Sequence, residues 1–324
     1  MSSISPAEWQ AAADALRTAR SVVVSCHVNP DGDALGSALA LRLALERAGR
    51  PAVASFSEPF VVAPQYRFLP GQDLLVPPAQ VPGDADLFVC FDTGSLDRLG
   101  TLADRFAGAR RTLVVDHHVS NTRFGDLNLI DPDAPASVVL CRELLRRLGL
   151  PLDQAVASCL YTGLLTDTGR FAYQATTPAT HLLAAELLEA GVDQYEIARA
   201  LFETNDIGYL RLLGDCLARI RQLPDASLVW TSVTRADLER HGVGLDATEG
   251  LIDVVRTDAA SEVAAVLKEL GDGAWRVSLR SKGRVDVGRV AGALGGGGHA
   301  FAAGFTSQLG LEETVKAVVD ALSG

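Results

Sequence analysis

The fold class that the sequence predicts is α/β in two domains, the larger N-terminal one a doubly wound, mostly parallel sheet and the C-terminal one smaller. Three observations predict it. The chain has 324 residues, more than a single domain usually holds. Short, continuous apolar runs rich in Val and Phe recur as SVVVSC, AVASF, DLFVCF and RRTLVVD, the pattern of strands buried on both faces. Helical stretches separate them, as crossover connections between parallel strands require.

In chain order, Ser5, Pro6 and Glu8 supply an N-cap, a first-turn proline and a capping-box acid for a helix to about Ala19. SVVVSC follows, then a helix over Ala34 to Ala48 closed by Gly49, then the remaining runs, giving an α/β domain over residues 1–190. The pattern turns helical from Pro178 to Arg221, and residues 191–221 read as a linker. After Leu223-Pro224, SLVWTSV, EVAAVLKEL and AWRVSLRS are strand candidates, followed by a helix, a glycine run and a last helix from Leu311 to Leu322, a second domain over 222–324.

The formal net charge is −11, so most of the surface repels a long polyanion, and long double-stranded nucleic acid is excluded as the expected ligand. A small phosphorylated molecule in a metal-loaded cleft escapes that penalty, because bound ions dominate the local charge. Five cysteines sit mostly within apolar runs without CxxC spacing and read as buried free thiols. No basic-then-apolar leader and no run of about 18 apolar residues is present, so the expectation is a cytoplasmic protein with no membrane partner.

Four clusters of possible ligands fall where strands or helices end: His27, Asp31 and Asp33 after SVVVSC; Asp92 after DLFVCF; Asp116, His117 and His118 after RRTLVV; and Asp167 after ASCLYTGLLT. Loops at the carboxyl ends of neighbouring parallel strands converge on one crevice. Taken singly, Asp31 and Asp33 also suit a turn and an N-cap, and Asp92 or Asp167 a chain turn. Together they form a mixed carboxylate and imidazole set that suits Mn²⁺ or a comparable divalent ion, with Mg²⁺ and Co²⁺ as alternatives. The candidates outnumber what one ion takes while leaving room for water and substrate, so two divalent ions are expected, with a shared carboxylate between them. Such a pair favours in-line attack on phosphorus by an acidified water, without a protein nucleophile.

Farther along, Arg276, Arg280, Lys282, Arg284 and Arg289 precede the run Gly295 to Gly298 and His299. Glycine lets backbone N–H groups approach a phosphate, and an arginine can grip one in bidentate fashion.

HVNPDGDALGS, FDTG, VVDHHVSN, LLTDTGRF and GGGGHAFAAG, in that order over nearly the whole chain, resemble the DHH phosphoesterase family, in particular its short two-domain members of the NrnA type, with nanoRNase and pAp-phosphatase activity. The resemblance implies a DHH domain, a smaller DHH-associated domain and an active site in the cleft between them. It implies that His27, Asp31 and Asp92 hold one metal and Asp33, Asp92, His117 and Asp167 the other, with Asp92 bridging. His118 would face the substrate phosphate and Asp116 would orient the histidine pair, while Arg280, Ser281, Gly297, Gly298 and His299 occupy the family's substrate-binding positions. Short RNA oligonucleotides, linear dinucleotides such as pApA, and pAp are the implied substrates, and homodimers are common in the family. RecJ-like single-strand exonucleases and non-catalytic nucleotide-binding regulators share the fold and are the alternatives. An aspartic-protease reading of Asp92-Thr-Gly and Asp167-Thr-Gly fails, because such proteases are all-β and HVNPDGD and DHH would have no part in them.

Overall fold

The computed structural model describes residues 3–323, which form two compact units divided between Thr204 and Asn205. The first opens with α1 (Pro6–Thr18), closed at its N-terminus by the reciprocal Ser5–Glu8 capping box. There follow β1 (Val22–Cys26), α2 (Gly32–Arg47), β2 (Ala52–Ala54), β3 (Leu87–Phe91), a 3-10 segment over Leu96–Leu102, α3 (Ala103–Gly108), β4 (Thr112–Asp116) and β5 (Leu127–Ile130). Four helices complete the unit: α4 (Ser137–Leu148), α5 (Gln154–Asp167), α6 (Pro178–Glu189) and α7 (Gln194–Phe202).

The strands pair in parallel in the order β2-β1-β3-β4-β5. The chain steps outward from β1 to β2, then returns to the other side of β1 for β3. This reversal separates the loops that leave β1 and β3 and opens a crevice at their carboxyl ends. Every residue of β1, β3 and β4 is buried, because both faces of the sheet are covered. Val22, Val24, Val89 and Val115 pack with Leu39, Leu144 and Leu160 of the helices, while Val23, Phe88 and Val114 pack with Leu99, Leu102 and Phe106.

One helix contact decides where the ligands lie. A Cβ at Gly36 of α2 would come within 2.5 Å of the Cys159 carbonyl oxygen, and one at Gly163 of α5 within 2.9 Å of Asp33 Cα. Only glycine permits this approach, which sets Asp33 in the first turn of α2 beside Asp167 at the end of α5.

The second unit contains α8 (Ile207–Ala218), β6 (Arg221–Leu223), β7 (Leu228–Val233), α9 (Arg235–His241), α10 (Leu251–Val255), β8 (Val263–Glu269), β9 (Trp275–Ser281), α11 (Val287–Ala293), β10 (Gly297–His299), β11 (Ala302–Ser307) and α12 (Leu311–Ser323). Its sheet runs β10-β11-β9-β8-β7-β6. Only the β7–β8 pair is parallel, and the other pairs are antiparallel. Val263, Ala265 and Leu267 face one core with α11 and α12, and Ala264 and Val266 face another with α8 and α10.

The helical stretch expected as a linker over 191–221 is divided between the units. Ile197 of α7 packs into the core of the first, and Tyr209, Leu212 and Cys216 of α8 pack into the second. All five cysteines are buried free thiols, and Trp9, Trp230 and Trp275 are buried in the cores. Among the described residues no helix is long and apolar enough to cross a membrane.

Candidate metal centre

The loop after β1 delivers His27 and then Asp31, which caps α2. Asp31 Oδ1 accepts from the backbone N–H of Asp33 (3.1 Å) and Ala34 (3.0 Å). The capping role that the sequence allows is thus real, and it leaves Oδ2 facing His27 Nε2 at 3.6 Å. Asp33 is fully buried. Its two oxygens accept from the N–H groups of Ser137 (2.6 Å) and Val138 (2.8 Å), in the first turn of α4, whose own N-cap residue Ala136 offers no side-chain acceptor. A carboxylate from α2 therefore caps a helix far away in sequence.

Asp92 follows β3 with φ +53°, in the left-handed region. Its N–H is fastened to the Val115 carbonyl at 2.9 Å, and its Oδ1 accepts the Ser137 hydroxyl at 3.0 Å. At the end of β4, Asp116 Oδ1 accepts from the N–H of His117 (2.8 Å), the N–H of His118 (3.2 Å) and His118 Nδ1 (2.7 Å). Asn121 donates to Asp116 Oδ2 at 2.6 Å and to the Thr93 carbonyl at 3.0 Å, tying the loops after β3 and β4 together. Asp116 thus holds the His118 ring and the backbone of both histidines.

His27 Nδ1 lies 2.8 Å from the Val28 carbonyl and His117 Nδ1 lies 3.1 Å from that of Ala134. A carbonyl can only accept, so both rings carry their hydrogen on Nδ1 and turn Nε2 inward, the tautomer in which histidine ligates a metal. His27 Nε2 is 3.5 Å from Asp92 Oδ2. His117 Nε2 is 3.5 Å from Asp92 Oδ1, 3.8 Å from Asp33 Oδ2 and 3.3 Å from Asp167 Oδ2. These exceed the usual charge-assisted hydrogen bond of about 2.7–2.9 Å and approach the spacing of neighbouring ligands on one ion, whose bonds are about 2.1 Å. Ligand atoms of His27, Asp31 and Asp92 lie within 4.8 Å of one another, as do those of Asp33, Asp92 and His117. These are the two sets that the resemblance implies, with Asp167 beside the second.

Charge in the cluster is unbalanced. Burial, and after it the charges of Asp92 and Asp167, push the Asp33 carboxyl well above the carboxylate range. Burial raises Asp167 to about 6 against the pull of His117, with Asp31 and Asp92 adding to the rise. Burial works against the charged form of His27 as well, but Asp31 and Asp92 overcome it and raise the ring to about 10. Burial opposes the charge on Asp92 too, yet His27, His118 and His117 together hold this carboxyl far below its ordinary value. A site where carboxylates repel one another and imidazoles gather protons is one that divalent cations would neutralise. The donor set of oxygens and imidazole nitrogens, without thiolates, fits such ions.

The sequence did not point to Ser137 or Asn121. Serine ahead of an apolar helix suggests an N-cap, and nothing local shows that it instead serves Asp92. Asn121 stood inside a recognised motif, but its cross-link depends on Thr93, on another strand.

In the second unit, Arg280 is part-buried on β9, with Nη1 donating to the Leu279 carbonyl at 3.0 Å. Ser281 is buried, and its hydroxyl donates to Glu262 Oε1 at 3.1 Å and accepts from the Gly283 N–H at 3.0 Å, so it fastens the turn after β9. The glycine run, expected as a loop, ends in strand β10 against β11. A Cβ at Gly298 would lie 2.6 Å from the Ala302 carbonyl oxygen, whereas one at Gly297 would meet nothing within 4 Å. Gly298 is thus required by strand pairing, Gly297 is exposed and pairs with Gly304, and His299 is the last residue of β10. His181 lies against the Phe171 ring at 5.1 Å, and His241 Nε2 lies 2.8 Å from Asp215.

The model of the "DHH family, N-terminal domain" matches residues 21–164, and that of the "DHHA1 domain" matches residues 229–324. The chain is 32% identical over 303 residues to the bifunctional oligoribonuclease and PAP phosphatase NrnA of Thermus thermophilus, covering 93% of this chain and 89% of the relative. It is 26% identical over 291 residues to the protein of the same description from Bacillus subtilis, covering 87% and 88%. The crystal structure of an exopolyphosphatase-related protein from Bacteroides fragilis matches with a TM-score of 0.91 at 26% identity, over 100% of this chain and 97% of that one.

Proposed function

Because the chain belongs to the DHH family, we propose that it is a phosphoesterase that hydrolyses short oligoribonucleotides and linear dinucleotides such as pApA to nucleoside monophosphates, and removes the 3′-phosphate of pAp. The convergence of His27, Asp31, Asp33, Asp92, His117 and Asp167 in one cluster carries this proposal. His27, Asp31 and Asp92 would hold one divalent ion and Asp33, Asp92, His117 and Asp167 a second, with Mn²⁺ as the favoured metal. Such ions acidify water and neutralise phosphoryl oxygens.

The chain's own groups supply orientation. His118 is part-exposed beside the cluster, and its Nδ1 is fixed by Asp116 at 2.7 Å, an orientation in which the ring would face the leaving oxygen of a phosphate ester. In the second domain, Arg280, Gly297, Gly298 and His299 are the residues we propose for substrate binding, with Ser281 holding the turn after β9. The net charge of −11 favours short substrates over long ones.

Purified protein with Mn²⁺ or Mg²⁺, offered pAp, pApA, a five-nucleotide RNA and a long RNA, tests this directly, with Asp92→Asn as the blank. The expected outcome is cleavage of the short substrates, with activity down at least about 1,000-fold in the blank. Equal activity in the blank would refute the site, and preference for the long RNA would favour a RecJ-like role.

A further inference from the structure

We propose that Arg98 is a substrate-binding residue of this centre, gripping phosphate oxygens of the substrate on the His27 side. The proposal rests on the site being one that cleaves phosphate esters.

Arg98 lies in the 3-10 segment that follows Asp92, and its backbone is fixed to the loop bearing His27. The Val28 N–H donates to the Arg98 carbonyl at 2.9 Å, and the Arg98 N–H donates to the Ser95 carbonyl at 3.1 Å. The residue is exposed, with Nη2 3.3 Å from His27 Nδ1. That nitrogen makes its shorter contact, 2.8 Å, with the Val28 carbonyl. Its hydrogen points there, so the ring offers Arg98 no lone pair and leaves the guanidinium N–H groups uncommitted.

Several arginines of this unit are committed. Arg42 pairs with Glu46, Arg142 with Glu186 and Arg147 with Glu143, and Arg170 lies 3.7 Å over the Phe202 ring. Arg98 makes no ion pair with a carboxylate among the described residues, although the His27 ring it touches has its Nε2 3.6 Å from Asp31 and 3.5 Å from Asp92. An exposed arginine fastened beside a candidate ligand, yet unpaired with any carboxylate, is placed to meet an anion that enters from solvent. The guanidinium fork matches two oxygens of a phosphate, and during phosphoryl transfer the charge on those oxygens is what a fixed cation stabilises.

A different role would have Arg98 act through His27, steadying the imidazole as a ligand. The two separate in Arg98→Met and Arg98→Lys variants of the full chain. Calorimetry gives Mn²⁺ affinity and then AMP affinity of the Mn²⁺-loaded protein, and kinetics with pApA give kcat/KM. Substrate binding predicts for Arg98→Met a Mn²⁺ affinity within about twofold of the parent, AMP binding weaker by about tenfold or more, and kcat/KM down about 100-fold, with partial recovery in Arg98→Lys. Unchanged AMP affinity and kcat/KM would overturn the assignment. So would Mn²⁺ and AMP affinities that fall together, which would make Arg98 a positioning residue for His27. A parent protein that binds Mn²⁺ but neither binds AMP nor cleaves pApA would instead overturn the function of the site, and Arg98's role with it.

Discussion

At the scale of single residues, Ser137 shows how the ligand set is held. Its hydroxyl donates to Asp92 and its N–H to Asp33, so one residue fixes a carboxylate of each ligand group. Ser137→Ala removes only the first bond. Loss of a group that orients a ligand typically costs about 10–100-fold in metal affinity, so Mn²⁺ binding measured by calorimetry is expected to weaken by about tenfold, with thermal stability nearly unchanged. Loss of stability without loss of affinity would show that Ser137 serves packing alone. The convergence of the candidate ligands was legible because carboxylates and imidazoles clustered after apolar runs, which ties each to the end of a strand or helix. Ser137, Asn121 and Arg98 were not, since their roles depend on partners distant in sequence or on another loop. Nor was the bond from Ser281 to Glu262, since the motif around Ser281 says nothing of that partner.

At the scale of elements, the α2–α5 crossing governs the geometry. A methyl group at position 163 would meet Val138 Cγ1 at 2.6 Å and Asp33 Cα at 2.9 Å. Gly163→Ala should therefore destabilise the protein by about 1–3 kcal/mol through overpacking, visible as a lower urea midpoint, and should weaken Mn²⁺ binding by moving Asp33. Gly214 is the contrast. It lies inside α8, where an added Cβ meets nothing within 4 Å, so Gly214→Ala should stabilise by about 0.5–1 kcal/mol. The strands of the first sheet were readable as continuous apolar runs because both faces are covered. β5 and β6 escaped notice, being short and only part-buried. The glycine run was legible as a place of close backbone approach, but not as strand β10, since glycine carries no strand signal of its own.

At the scale of the whole molecule, protons and metal ions compete for one pocket. Asp167, raised to about 6, holds its proton in the folded protein at pH values where an unfolded aspartate has lost it, and His27, raised to about 10, does the same above the ordinary imidazole range. In the metal-free protein each raised group adds stability that is complete below its unfolded pKa and is lost as pH climbs through the folded one. Metal binding must displace those protons, so it strengthens as pH rises. The rise in Tm on adding Mn²⁺ should accordingly be larger at pH 8 than at pH 5.5, by several degrees in scanning calorimetry. An equal rise at both would mean that the ions bind elsewhere. The two-domain α/β plan was legible from length and alternation. The point of division was not, because α7 and α8 differ only in which core receives their apolar faces.

Asp33 carries two loads at once, since the carboxylate offered to a cation is also the acceptor that closes the first turn of α4. A descendant of this protein that gave up its chemistry would still be under selection to keep an oxygen there, whereas Asp167, which has no such architectural duty, would be free to drift. In a lineage of silent copies, erosion of position 167 would mark lost turnover sooner than erosion of position 33.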